Sequence, residues 1–254
     1  MANPFFQRLK ILAGNEATEA LERSRVIVFG LGGVGSWCAE ALVRSGIGSI
    51  SIVDSDEVCV SNVNRQIQAL GSTLGRSKAE ALEERLRDIN PGCEIKAFPS
   101  QFSRETAETF DIPGADYVID AIDTMPHKLD LIETVISRAP GAGPRLFSSM
   151  GMAQKIDPTL IKTANIWDTA GCPLARLVRQ GLLKRDFSGN FTAVYSTEKP
   201  LQQAPDSSAS TEPESGKKPL GSVVTVTAAA GMVLASLVVR DVYARFAPVG
   251  KRHE

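Results

Sequence analysis

The stretch that most constrains the fold runs from residue 26 to residue 54. Val26, Ile27, Val28 and Phe29 form an unbroken apolar run, which predicts a parallel strand buried on both faces. Glycines 30, 32, 33 and 35 follow at once, then residues 37–43 with helical periodicity, then a Ser45-Gly46 stop. Residues 50–53 predict the next strand, which ends at Asp54. Strand, glycine turn, helix, strand and acid make one βαβ unit.

The alternation continues. Residues 77–90 place Ala79, Leu82, Leu86 and Ile89 on one stripe and stop at Asn90-Pro91-Gly92. Residues 94–98 predict an edge strand, and 117–119 a central strand running into Asp120 and Asp123. A helix is expected over 127–139 and another strand over 145–149. Strands alternating with helices imply an α/β fold, a Rossmann-like, mostly parallel sheet with helices on both faces. The expected organisation is a single domain over 1–254, with an N-terminal helical arm at 1–24 and a nucleotide-binding core at 25–165. Residues 166–254 make a substrate-side, dimer-proximal part. Within it, residues 198–219 carry four prolines and four serines and predict a structureless loop. Residues 223–239 hold no charge, but Gly231, Ser236 and several Thr and Ala dilute them, so they read as buried core rather than a membrane segment.

Composition removes some functions. With 28 Lys and Arg against 29 Asp and Glu, the net charge of −1 excludes holding nucleic acid by bulk charge, though not by a local basic face. The four cysteines, at 38, 59, 93 and 172, form no CxxC pair, so a four-thiolate structural zinc site is excluded. Met1-Ala2-Asn3-Pro4 opens no secretory leader, and a cytoplasmic protein with reduced thiols is expected, with peripheral membrane association left open.

Gly30-Leu31-Gly32-Gly33-Val34-Gly35 fits GxGxxG with a strand before it and a helix after it. Gly30 and Gly32 allow a tight turn and close approach to phosphates, Gly35 allows close helix packing, and the helix N-terminus adds positive potential. Asp54 is placed to accept hydrogen bonds from ribose hydroxyls. The fingerprint alone leaves NAD, FAD and ATP open, beside the plain alternative of a packing turn. The residues that follow favour a triphosphate. Asp54-Ser55-Asp56, Ser61-Asn62-Val63-Asn64-Arg65-Gln66 and Gly75-Arg76-Ser77-Lys78 set charged and amide groups just beyond the ribose position. Hydride transfer needs no such cluster, whereas charge developing on a triphosphate must be met by arginine, lysine and a metal. Lys78 opens a helix, an unfavourable place for a cation unless an anion shares the site. Asp120 and Asp123 flank the end of a central strand. Asp123 is the better Mg²⁺ ligand, and Asp120 can instead brace the turn.

With these motifs assembled, the chain resembles the ubiquitin-activating-enzyme-like (ThiF/MoeB/HesA) superfamily of adenylating enzymes. The resemblance rests on RVIVFGLGGVGSWCAEALVRSGIG, DSDEVCVSNVNRQIQAL, GRSKAE, INP and DYVIDAIDT. SSMG, IDPT, CPLARLVR and VYSTEKP point to its branch of dehydratases that act on the threonylcarbamoyl group of a tRNA adenosine. The likeness implies ATP and Mg²⁺ as cofactors. It assigns Gly30, Gly32, Gly33 and Gly35 to the phosphate loop, Asp54 and Asp56 to the ribose side, Asn64, Arg65 and Lys78 to the triphosphate, and Asp123 to the metal. It implies that Arg8 crosses into a second subunit's nucleotide site, hence a homodimer; an upstream family arginine falls on Phe5 here. The implied reaction activates a carboxylate as an acyl-adenylate.

Residues 173–185 carry Arg176, Arg179, Lys184 and Arg185 without an acid, which suits either an RNA backbone contact or a solvated helix face. Cys172 reads either as a thiol for group transfer or as a small buried side chain. His127 reads as solvent-facing or capping. Three function classes remain at this point: a tRNA-modifying dehydratase, an adenylyltransferase activating the diglycine tail of a sulfur-carrier protein, and a nucleotide-binding regulator. Sulfur-relay protein partners stay open. The absence of CxxC pairs favours the first, because cyclisation by the substrate's own carbamoyl group needs no enzyme thiol.

Overall fold

The computed structural model describes residues 4–136, 143–202 and 220–246. Two helices, α1 (Gln7–Ala13) and α2 (Asn15–Arg23), lead into β1 (Arg25–Phe29). Then come α3 (Gly35–Arg44), β2 (Ser49–Val53), α4 (Lys78–Ile89), β3 (Glu94–Phe98), β4 (Tyr117–Asp120), α5 (Met125–Ile136) and β5 (Arg145–Ser149). The chain continues through β6 (Ile161–Asn165), α6 (Pro173–Leu183), β7 (Thr192–Ser196) and α7 (Val224–Phe246).

One seven-stranded sheet results, in the order β3-β2-β1-β4-β5-β7-β6. Every neighbouring pair is parallel except β6 with β7. Strand side chains alternate between faces, and β1 shows what that does to the core. Val26 and Val28 join a cluster with Leu42, Leu82, Leu86 and Leu234 from α3, α4 and α7. Ile27 and Phe29 join the opposite cluster with Leu131, Ile132 and Val178 from α5 and α6. On that second face Phe29 meets Phe102 and Phe110 edge-on, at 5.1 and 5.3 Å between ring centroids. Helices therefore cover both sides, as expected. The order reverses between β1 and β4, the switch point where open α/β sheets leave a crevice beyond the strand ends.

The sheet runs past residue 165: β7 inserts between β5 and β6 and ties the C-terminal part into the core. Of the N-terminal arm, only α1 lacks buried residues, while Ala17, Thr18 and Leu21 of α2 are buried. Within 198–219, Glu198 accepts the backbone N–H groups of Ile156 and Asp157, and residues 203–219 lie outside the described residues. Of the uncharged stretch at 223–239, all but its first residue is helical, as part of α7. Among the described residues α7 is the one helix long and apolar enough to span a membrane. It buries Val226, Ala230, Leu234, Val238 and Val242 along one stripe and leaves Met232 and Tyr243 exposed. Gly231 brings it onto α3, where an added Cβ would lie 2.5 Å from the Val34 carbonyl oxygen.

Candidate active site

The glycine turn sits at the switch point, and its shape follows from what surrounds it. Gly30 has φ +86°, and a Cβ there would stand 2.7 Å from the Ala121 carbonyl oxygen. A Cβ on Gly35 would stand 1.8 Å from the Gly30 carbonyl oxygen. These two positions need glycine for the fold itself. Gly32 has nothing within 4 Å, so the turn is open there. Gly33 lies between the Arg65 side chain and Thr227, each 3.1 Å from where its Cβ would be.

Asp54, at the end of β2, holds the turn from behind. It accepts the Leu31 N–H at 2.6 Å and the Asp56 N–H at 2.9 Å. Burial pushes its carboxyl above the usual aspartate range, and Lys78 with the two backbone donors opposes that shift without cancelling it. Lys78 is buried at the start of α4. Its Nζ lies 2.7 Å from Asp56 Oδ2 and 3.9 Å from Asp54 Oδ1. Ser77 caps this helix by accepting the Glu80 N–H. The two acids answer the unfavourable placement of a lysine at a helix start, so the cation waits beside the nucleotide position already paired.

Asn64 and Arg65 come from the segment that crosses the turn. Arg65 donates to the Ser61 carbonyl oxygen at 2.7 Å and to Asn64 Oδ1 at 3.1 Å, while Trp37 Nε1 donates to the Arg65 carbonyl oxygen at 2.9 Å. Asn64 Nδ2 donates to the Ser222 carbonyl oxygen, tying this segment to the approach of α7. Burial lowers the affinity of Arg65 for its proton, and the Asp123 carboxylate opposes that. Gly33, Arg65 and Asp123 therefore share one neighbourhood. Asp123 is exposed on the loop after β4, with Thr124 Oγ1 at 3.3 Å from its Oδ1. Asp120 braces the turn instead of facing a metal: it is wholly buried and paired with Lys128 at 2.8 Å. Among the described residues no group of three His, Cys, Asp or Glu forms a metal cage. Mg²⁺ needs none, since it binds through one or two carboxylates, phosphate oxygens and retained waters, a role the exposed Asp123 fits.

Other candidates stand apart. Arg8 is exposed on α1, with no bond to any nucleotide-site residue. Arg179 donates to the Thr169 carbonyl oxygen and hydroxyl, and Arg185 pairs with Asp130 and Glu133, which Arg104 also engages. Both are committed within the chain, which leaves Arg176 and Lys184 exposed. Cys172 is 4% exposed at the start of α6, one of four free cysteines. His127 is half-buried near the start of α5, with its Nδ1 enclosed and without a partner, so the solvent-facing reading holds only for part of the ring. Thr227 and Lys128 went unnoticed in the sequence. Thr227 sat inside an apolar run, and nothing local to Lys128 announces a partner at Asp120.

This crevice, with its glycine turn, strand-end acid and paired lysine, is that of an adenylating enzyme, and the chain belongs to the ThiF family, whose model matches residues 6–251. The tRNA threonylcarbamoyladenosine dehydratase of Bacillus subtilis is 39% identical over 241 residues, 93% of each chain. A crystal structure of the Escherichia coli tRNA N6-threonylcarbamoyladenosine dehydratase in complex with ATP superposes with a TM-score of 0.82 at 35% identity, covering 96% of both chains. The sulfur carrier protein adenylyltransferase of Thermus thermophilus is 36% identical over only 44% of this chain.

Proposed function

We propose that this protein is an ATP-dependent tRNA threonylcarbamoyladenosine dehydratase that works through an acyl-adenylate. The observation that carries this reading is the crevice itself, glycine turn, Asp54, Arg65, Lys78 and Asp123 together, in a chain alike over more than nine-tenths of its length to dehydratases. In the first step the threonine carboxylate attacks the α-phosphorus of ATP and pyrophosphate leaves. In the second a carbamoyl atom of the same substituent attacks the acyl carbon, and AMP departs. The substituent closes into a ring having lost one water in total.

The residues divide this work. Gly32 and Gly33 let backbone N–H groups approach the phosphates, and the start of α3 supplies positive potential. Asp54 holds both the turn and the ribose, with Asp56 beside it. Asn64 positions Arg65, whose guanidinium meets the charge that develops on the phosphates, and Lys78 turns from Asp56 to the same charge. Asp123 would hold Mg²⁺, which when bound neutralises phosphate charge. The exposed Arg8 acts in the site of a second copy, so the working unit is a homodimer. Arg176 and Lys184 supply phosphate-backbone contacts to the RNA. Four free cysteines support a cytoplasmic location.

Release of AMP and pyrophosphate in the presence of tRNA carrying threonylcarbamoyladenosine, set beside release with a diglycine-tailed carrier protein, tests the reading. Turnover with the tRNA alone is expected. Turnover with the carrier alone assigns the protein to sulfur-carrier activation.

A further inference from the structure

Asp120 and Lys128 have no part in the steps above, yet they form a fully buried ion pair next to the residues that do. Both side chains are 0% exposed, with Lys128 Nζ 2.8 Å from Asp120 Oδ2. Taking two charges out of water costs more than their mutual attraction returns unless further hydrogen bonds satisfy both groups. Here they do, and the partners are specific. Asp120 accepts the Ile122 N–H at 3.1 Å and the Ser148 hydroxyl at 2.6 Å. Lys128 Nζ donates to the Ile122 carbonyl oxygen at 2.9 Å, and its own N–H donates to the Thr124 carbonyl oxygen at 3.0 Å. The pair thus grips both peptide groups of Ile122, the residue directly before Asp123.

The other side of this loop is fixed by the glycine turn. Ala121 donates its N–H to the Phe29 carbonyl oxygen at 2.8 Å, and its own carbonyl presses on Gly30. Asp123 itself is exposed, and the side-chain hydrogen bond found for it among the described residues is to its neighbour Thr124, so its position is inherited from the backbone it sits on. We propose that Asp120 and Lys128 are positioning residues, a buried clamp on Ile122 that sets where the Asp123 carboxylate stands relative to Arg65 and the phosphate loop. This rests on the adenylating reading given above.

The test compares wild type with Lys128→Met, the neutral double variant Asp120→Asn/Lys128→Met, and Ser148→Ala. The last removes a bond to Asp120 but leaves both grips on Ile122. Four quantities are read: AMP affinity by calorimetry, kcat for AMP formation with threonylcarbamoyladenosine-bearing tRNA, the Mg²⁺ concentration giving half-maximal rate, and hydrogen exchange over residues 121–124 in nucleotide-free protein. Lys128→Met is expected to keep AMP affinity within a few-fold, lose about 10²-fold in kcat as a misplaced group does, need more Mg²⁺, and exchange faster at 121–124. Ser148→Ala should lose stability only. Where the single variant does not fold, the double variant, which buries no unpaired charge, carries the same expectation. Wild-type kcat and Mg²⁺ dependence in either folded clamp variant overturns the proposal, as does an equal effect from Ser148→Ala. Absence of AMP formation by wild type would instead sink the adenylating reading.

Discussion

The glycine turn separates two demands that a fingerprint motif merges, and substitution can measure each. At Gly35 an added methyl would lie 1.8 Å from the Gly30 carbonyl oxygen, a backbone atom that cannot swing away. Forcing such an atom into a packed site costs about 1–3 kcal/mol. Gly30→Ala adds left-handed backbone strain of about 1–2 kcal/mol to a similar clash. Gly32 is different, because nothing lies within 4 Å of the position its Cβ would take. Gly32→Ala should therefore change stability by no more than about 0.5 kcal/mol, as an unencumbered surface change does. Its effect should appear only with ligand. A phosphate oxygen accepting from this backbone stands about 2.9 Å from the nitrogen, and a methyl on the same residue crowds it inside the roughly 3.5 Å that carbon contacts require. We expect at least a tenfold loss of ATP affinity, about 1.4 kcal/mol. Urea denaturation and calorimetric titration with ATP give both numbers. Wild-type ATP affinity in a folded Gly32→Ala protein would refute the claim that phosphates sit on this turn. Wild-type stability in Gly35→Ala would refute the packing argument.

Lys78→Ala should lower turnover by about 10²-fold while weakening adenosine binding little, since a contact that strengthens with developing phosphate charge acts in the transition state; an equal effect on both would make it a ground-state contact. Mixing Arg8→Ala chains with Asp123→Ala chains should restore activity, because one site of the hybrid keeps both residues. No recovery in verified heterodimers would return Arg8 to its own chain or remove it from the mechanism. Cys172→Ala should retain most dehydratase activity, because nucleophile and acyl group share one nucleoside and their reaction is effectively unimolecular. AMP and pyrophosphate without a dehydrated base in that variant would show that Cys172 carries an obligatory intermediate.

The sequence was most legible where structure is locally encoded. Val26 to Phe29 of β1 and Tyr117 to Ile119 of β4 are apolar runs buried on both faces, and the glycine spacing with Asp54 placed the nucleotide crevice beside them. Edge strand β6, antiparallel to β7, escaped notice because its Lys162 and Thr163 face solvent, so no apolar run marks it. Charge counting failed along α6 for a related reason. Arg185 looks free in a window without acids, but its partners Asp130 and Glu133 lie on α5, more than fifty residues earlier in the chain. The same blindness hid Lys128, whose companion and purpose appear only when β4 delivers Asp120 beneath the loop. Motifs report what a ligand demands of neighbouring residues; pairings across the fold are set by topology.

ATP-driven activation ends in loss of water from a tRNA nucleoside. Its most direct test is mass analysis of nucleosides digested from threonylcarbamoyladenosine-containing tRNA after incubation with the protein and ATP. The expected product is the same nucleoside lighter by one water, formed with one AMP per event and absent when ATP is omitted. An unchanged nucleoside, from folded protein that binds ATP, would mean that this protein is not a dehydratase.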